Sequence, residues 1–202
     1  NGGGTGQDIT FVNASETVSD NTLSYKSFYA AFGNCKVTFD GVSVRHQVWC
    51  DLAKDTTVTL KNGSTYTTQA GYHSNSSNTW IKVFSGSTFT VGGEFLVGAG
   101  GDYEGGLILS NGTFVCTQLK AGRLADGNLG YGKIRFLGET PLLWINSCFT
   151  TDRAGTVNRF QFEIPKTGYA AAPIQYSTTP TTALFDGTSA KAQTNSFEVL
   201  QS

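Results

Sequence analysis

Charge is the first thing that this sequence has little of. Only 14% of its 202 residues are charged, and the formal net charge is −1. A protein that binds nucleic acid usually carries a basic excess or a basic stripe, so the sequence predicts no nucleic-acid partner. No run of about 18 apolar residues is present, and we therefore expect no membrane insertion of this segment.

Catalytic and metal-binding motifs are also lacking. The two histidines, His46 and His73, are accompanied by no G-x-S-x-G nucleophile elbow, so no nucleophilic triad is expected. The four cysteines form none of the C-x-x-C pairs that zinc sites use. The sequence predicts no catalytic residue, no metal and no cofactor, and it indicates a protein that is not an enzyme. We expect both histidines to be polar residues of loops or strand edges.

Glycine, by contrast, is abundant, with 25 residues, about twice the usual share. Between the glycines lie segments such as "KVTFDGVSV", "WIKVFSGSTFTV" and "KIRFLGETPLLWI", in which apolar and polar residues alternate. Alternation with β-branched and aromatic residues is typical of strands, and Gly, Asn, Asp and Ser supply the turns between them. The sequence therefore predicts an all-β protein.

The strands repeat with a regular spacing. Val58 and Leu60 precede Gly63 by five and three residues, and the same pattern recurs at Ile81, Val83 and Gly86 and at Leu107, Leu109 and Gly112. The glycines at positions 41, 63, 86, 112 and 138 are 22, 23, 26 and 26 residues apart. Such a period predicts a β-solenoid of about five or six coils, with corner glycines and stacked apolar ladders. An antiparallel β-sandwich is the alternative.

The solenoid pattern predicts its own core. Four aromatic residues and five aliphatic ones fall at inward positions: Phe89, Phe95, Phe114, Phe136, Ile81, Val83, Leu107, Leu109 and Ile134. Gly63, Gly86 and Gly112 are expected to turn the chain at equivalent corners, some of them with positive φ.

The motifs V-x-L-x-N-G-S-T, "SGSTFTVGGEFLVG" and G-x-L-x-L-S-N-G-T carry a family resemblance. They resemble the coils of right-handed parallel β-helix proteins, in particular the passenger regions of bacterial autotransporter-like adhesins. The resemblance covers about residues 35–165. It implies a secreted or cell-surface protein with an adhesive or structural role. No active-site motif of the β-helix lyases or polygalacturonases accompanies it.

Three regions are expected along the chain. Residues 1–34 are predicted to form a leader and N-terminal capping strands, and residues 35–165 the solenoid coils. Residues 166–202, rich in Thr, Ala and Ser, are predicted to be an extended C-terminal segment that packs on the solenoid or caps it.

The cysteines at 35, 50, 116 and 148 are candidates for disulfides, because their number is even and the expected location is extracellular. Three pairings are possible. If Cys35 pairs with Cys50 and Cys116 pairs with Cys148, each bridge lies within a coil or joins neighbouring coils. Buried free thiols are the alternative, since free cysteine behaves as a small apolar residue.

An acidic edge is the one candidate site. Asp126 and Asp152 each lie 14 residues after a corner glycine, and Asp102 lies 16 residues after one, with Tyr103 and Glu104 beside it. In stacked coils, equal offsets become neighbours about 4.8 Å apart. The four acidic residues with Tyr103 are therefore interpreted as an edge that binds calcium or a glycan, or as the acid pair of a glycosidase. A solvated loop edge, where Asp and Gly are ordinary turn residues, is the alternative.

Together, the pattern and the resemblance predict an extracellular structural or adhesive module of a bacterial cell-surface protein, and self-assembly into a filament is considered as well. The candidate partners are further copies of the chain, other surface proteins and glycans. A carbohydrate-binding or carbohydrate-active β-helix domain, such as a glycoside hydrolase or polysaccharide lyase, is the alternative.

Overall fold

The computed structural model of the chain describes residues 7–12, 34–46, 49–74, 76–99, 105–123, 131–146, 158–164, 169–177 and 195–201. These residues form strands and turns, and no helix occurs among them. The strands, in chain order, are β1 Gln7–Val12, β2 Cys35–Asp40, β3 Ser43–His46, β4 Cys50–Asp51, β5 Thr57–Lys61, β6 Thr65–Thr68, β7 Tyr72–Ser74, β8 Thr79–Phe84, β9 Thr88–Ala99, β10 Gly105–Ser110, β11 Thr113–Arg123, β12 Tyr131–Leu137, β13 Leu142–Ile145, β14 Asn158–Ile164, β15 Ile174–Tyr176 and β16 Asn195–Gln201.

The strands form a parallel β-solenoid, which confirms the predicted fold. The first wall is a sheet in the order β1-β2-β5-β8-β10-β12-β14-β16, and the second contains β3, β6, the first half of β9, the first half of β11, β13 and β15. A third wall is made by β4, β7 and the second halves of β9 and β11. Every pairing between the described strands is parallel, which excludes the antiparallel sandwich. Four successive coils, from β2 to β11, have strands on all three walls.

Apolar ladders fill the space between the walls. On the first wall, the inward residues in register are Ile9, Val37, Val58, Ile81, Leu107, Ile134 and Phe162. On the second wall, they are Val44, Tyr66, Phe89, Phe114, Leu143 and Ile174. All nine residues predicted for the core are fully buried, so that prediction is confirmed. Burial of this apolar area is the main source of stability.

The coils are not of equal length. Between Val37 and Phe162, successive first-wall partners are 21, 23, 26, 27 and 28 residues apart. The ladders nevertheless stay in register, because most of the extra residues fall in the connections between strands, chiefly between the last strand of one coil and the first strand of the next.

The first corner, between the first and second walls, is where the repeat glycines lie. Gly63 and Gly86 have positive φ values of 78° and 74°, as predicted. At Gly112 the positive φ belongs instead to the preceding residue, Asn111, at 53°. Gly112 is required for a different reason: a β-carbon there would overlap the backbone carbonyl of Val83. The three glycines therefore share a corner but not a conformation.

The sheets continue beyond the range in which the sequence repeat is visible. β1 pairs with β2, β15 pairs with β13, and β16 pairs with β14, all in parallel. Residues 13–33 and 178–194, which include most of the expected caps, lie outside the described residues.

Candidate functional site

The predicted acidic edge cannot be placed. Asp102, Tyr103, Glu104, Asp126 and Asp152 all lie outside the described residues. In the chain they follow β9, β11 and β13, the last described strands of three successive coils. Within the described ranges, no group of three or more His, Cys, Asp or Glu side chains is arranged to hold a metal ion.

The cysteines differ from the disulfide prediction. Cys35, Cys50 and Cys116 are buried free thiols. The predicted Cys35–Cys50 bridge is therefore wrong. The predicted Cys116–Cys148 bridge is not formed either, because Cys116 is a free thiol; Cys148 itself lies outside the described residues. Each of the three thiols faces the apolar core, where Cys acts as a small apolar side chain. Burial raises the pKa of Cys50 to about 12, so these sulfurs are poor nucleophiles.

Four charged side chains come together on the outer face of the third wall. His73 Nδ1 lies 2.8 Å from Asp51 Oδ1, and His73 Nε2 lies 3.0 Å from Glu94 Oε1. Lys120 Nζ binds the second oxygen of Glu94. We call these four residues, one from each of four successive coils, the charged ladder. Their side chains are 35%, 6%, 19% and 10% exposed in the order Asp51, His73, Glu94, Lys120.

The contacts of the charged ladder run from coil to coil. The two ring nitrogens of His73 face carboxylate oxygens of Asp51 and Glu94, and the second oxygen of Glu94 binds Lys120. Carboxylates therefore alternate with nitrogen-bearing side chains along the solenoid axis, and the two carboxylates are separated by the ring of His73.

Trp49 covers the middle of the charged ladder. Its ring meets the ring of His73 edge-on, with centroids 4.1 Å apart, and its indole N–H donates to Asp51 Oδ1 at 3.3 Å. Trp49 can lie there because Gly71 in the next coil has no side chain; a β-carbon on Gly71 would strike the indole. His73 is thus shielded from solvent, with both nitrogens engaged.

The sequence prediction placed His73 at a polar edge and missed its partners. No local motif links them, since Asp51, His73, Glu94 and Lys120 are 22, 21 and 26 residues apart. Those separations match the coil lengths, and this match is the signal that could have found the cluster. The side chain of His46, the other histidine, lies outside the described residues.

The outer face of the second wall is of a different kind, because it is almost uncharged. Two columns of outward side chains cross it, and we call them together the second-wall face. One column is Ser43, Thr65, Thr88, Thr113 and Leu142; the other is Arg45, Thr67, Thr90, Val115, Trp144 and Gln175. Neighbouring hydroxyls in a column can interact, as Thr65 Oγ1 does with Ser43 Oγ at 2.9 Å. Threonine is restricted at χ1, so each hydroxyl has few orientations to choose from.

The indoles of all three tryptophans are fixed in the same way. Each indole N–H donates to an Asp or Asn side chain two residues away: Trp49 to Asp51 at 3.3 Å, Trp80 to Asn78 at 3.2 Å and Trp144 to Asn146 at 2.8 Å. Residues two apart on a strand share a face, which allows this bond. Trp80 and Trp144 are half-buried on the first and second walls, respectively.

Compared with known proteins, the chain matches no protein-family model, no curated protein and no solved structure. In the part of the chain that the structure describes, no helix is long and apolar enough to cross a membrane.

Proposed function

We propose that the chain is a structural and adhesive module of an extracellular or cell-surface protein, of the kind found in autotransporter-like adhesins. The second-wall face is the observation that carries the proposal. It combines a fully buried core behind it with an ordered, nearly neutral outer surface. A rigid polar wall of this kind suits contact with an extended partner better than it suits catalysis.

The charged ladder supports a non-catalytic role. A general base needs a free lone pair near its substrate. His73 has both ring nitrogens bound to carboxylates, and Trp49 lies over it. The ladder therefore stabilises the third wall, and its histidine is not placed to act as a general base.

Self-assembly belongs to the same proposal, and the first strand supports it. β1 is the end strand of the first wall, and Ile9, Phe11 and Val12 are 36%, 39% and 59% exposed. Phe11 stacks on Phe39 with ring centroids 5.2 Å apart, which continues an apolar ladder to the end of the sheet. An exposed apolar edge strand is a template for pairing with another chain.

Adhesion is tested by changing one wall at a time. Beads carrying the purified chain are passed over surfaces coated with mixed polysaccharides or with matrix proteins, and their retention is counted. Thr67→Lys with Thr90→Lys puts two charges on neighbouring coils of the second-wall face and should abolish retention. Thr38→Lys with Thr59→Lys puts two charges on neighbouring coils of the first wall and should leave it intact. Equal retention for both variants would refute an adhesive second wall.

A carbohydrate-active enzyme is the second candidate, on the strength of the predicted acidic edge. The test is release of reducing sugar from plant and microbial polysaccharides. Turnover that Asp126→Asn abolishes would replace the adhesive proposal with a catalytic one, whereas we expect no turnover.

A further inference from the structure

We propose that the second-wall face binds a neutral β-linked polysaccharide along the solenoid axis, with Trp144 as its stacking platform. This inference rests on the proposed adhesive function and names the partner of the same face. It assigns a site different from the acidic edge that the sequence suggested.

Trp144 has the properties of a sugar platform. Its ring is outward and half-buried, and its N–H is held by Asn146 at 2.8 Å, so little conformational entropy is lost when a ligand stacks on it. The π face of an indole is electronegative. The axial C–H bonds on one side of a β-linked pyranose are electropositive and form a flat surface that complements it.

The threonine columns repeat along the axis with the period of the solenoid. Neighbouring coils are about 4.8 Å apart. This is close to the length of one β-linked pyranose unit, so a sugar chain that starts on Trp144 would bring successive units over Val115, Thr90 and Thr67. Each threonine offers a hydroxyl that both donates and accepts, as sugar hydroxyls require.

The charge of the face selects a neutral ligand. Arg45 is the one charged residue in the two columns, and it lies four coils away from Trp144. On the other side of Trp144 is Gln175, an amide held through its Nε2 to Ala172 O at 3.2 Å. Amides and hydroxyls hydrogen-bond sugars without favouring carboxylate or sulfate groups.

Trp80 and Trp49 lack this setting. Trp80 lies on the first wall among cationic side chains. Lys82 follows it two residues along the same strand, and Lys133 and Arg135 occupy the corresponding outward positions two coils further on. The ring of Trp49 is packed against Gly71 and His73. Trp80 therefore provides a matched control: an indole fixed by the same kind of bond, on a wall of different character.

The test is titration calorimetry of the folded chain with cellohexaose, and with a heparin hexasaccharide as the anionic comparison. We expect the chain to bind cellohexaose and not the heparin hexasaccharide. Trp144→Ala should weaken it at least about tenfold, the loss of one stacking contact. Trp144→Phe should retain part of the affinity, and Asn146→Ala should weaken it by a smaller factor because the ring remains but is no longer fixed. Trp80→Ala should leave the affinity unchanged.

The outcomes separate this inference from the proposed function. Equal loss for Trp80→Ala and Trp144→Ala, preference for heparin, or no binding of cellohexaose would overturn the glycan site. Bead retention that still depends on Thr67 and Thr90 would then leave the adhesive function standing with a different partner. Circular dichroism and the thermal midpoint of each variant check that it is folded, and Trp144→Phe covers the case in which the alanine variant is not.

Discussion

Phe89 lies at the centre of an aromatic column that crosses the coils. Its ring stacks between Tyr66 and Phe114, with centroids 4.6 and 5.3 Å away, and all three side chains are fully buried. Such a column combines burial of large apolar area with the offset stacking that aromatic rings prefer.

Truncation of this column should be costly. Phe89→Ala removes the ring between two others that a parallel sheet holds in place, so the cavity can collapse only in part. We expect a loss of about 3–5 kcal/mol in the free energy of unfolding. Thr90→Ala, one residue along and on the outer face, should cost no more than about 0.5 kcal/mol. Urea unfolding followed by two probes measures the free energy of unfolding of both variants. Similar losses for Phe89→Ala and Thr90→Ala would contradict the assignment of Phe89 to the core.

Two glutamate–cation pairs test what burial does to an ion pair. Glu94 holds Lys120 and His73, whose side chains are 10% and 6% exposed, whereas Glu163 holds Arg135, which is 43% exposed. Glu94→Gln removes the charge of a carboxylate that binds two nearly buried side chains and should cost about 3 kcal/mol. Glu163→Gln should cost at most about 1 kcal/mol, because solvent screens the pair. The same unfolding measurement applies, and a larger loss for Glu163→Gln would disprove the structural role of the charged ladder.

At the scale of elements, the corners show how a repeat in sequence can conceal a difference in structure. Gly63 has positive φ and open space around its α-carbon, while Gly112 has ordinary φ and the carbonyl of Val83 against it. The buried hydroxyl of Ser64 completes the first of these corners, donating to Phe39 O at 2.9 Å and accepting from Val42 N–H at 3.1 Å.

Alanine substitution distinguishes the two corners. Gly63→Ala introduces a left-handed alanine with no clash and should cost about 1–2 kcal/mol. Gly112→Ala must push the corner between β10 and β11 away from the Val83 carbonyl of β8 and should cost more. Gly63→Asn should be better tolerated than Gly63→Ala, since Asn adopts the left-handed region more readily. Thermal midpoints rank the three variants, and a smaller shift for Gly112→Ala than for Gly63→Ala would show that the close approach is not the constraint.

The sequence predicted what depends on period and alternation. Inward residues such as Ile81 and Phe114 follow from alternation between corner glycines, and so do the parallel coils. The charged ladder could not be predicted in the same way, because its members are linked only by coil lengths that change from 21 to 28 residues. A register error of one residue would turn His73 inward. The disulfide prediction failed because an even number of cysteines says nothing about which side chains face each other across the core.

For the molecule as a whole, burial of ionisable groups in the core makes stability depend on alkaline pH. Burial raises the pKa of Cys50 to about 12, although a hydrogen bond with Tyr72 acts in the opposite direction, and it also raises the pKa of Cys116. The pKa values of Tyr66 and Tyr72 are raised well above 10.0 for the same reason. The unfolded chain therefore loses protons at a lower pH than the folded chain does.

The sign of the effect follows from this difference. Stability from these groups is present in full below pH 9.0, the ordinary value for a thiol, and falls as the pH rises towards 12. Denaturant midpoints between pH 7 and pH 11 measure the fall. Cys50→Ala should reduce the loss of stability between pH 7 and pH 11. Cys35→Ala should reduce that loss by a smaller amount, because Cys35 is nearer the surface. A stability that is constant to pH 11 would contradict the burial of the thiols.

The uneven coils have a consequence for how such a protein can change over evolution or be engineered. The connection from the first wall to the second has two to four residues between Cys35 and Ile145, and one extra residue within a strand would turn every following side chain to the other face. The connection from the third wall back to the first has 4 residues after β7 and 7 after β11, yet the same ladders stack across both. Insertions can therefore accumulate at one corner at little cost. A foreign loop grafted between Ser74 and Thr79 would be displayed there without disturbing the strands, which makes this corner the natural place for the chain to acquire new surface.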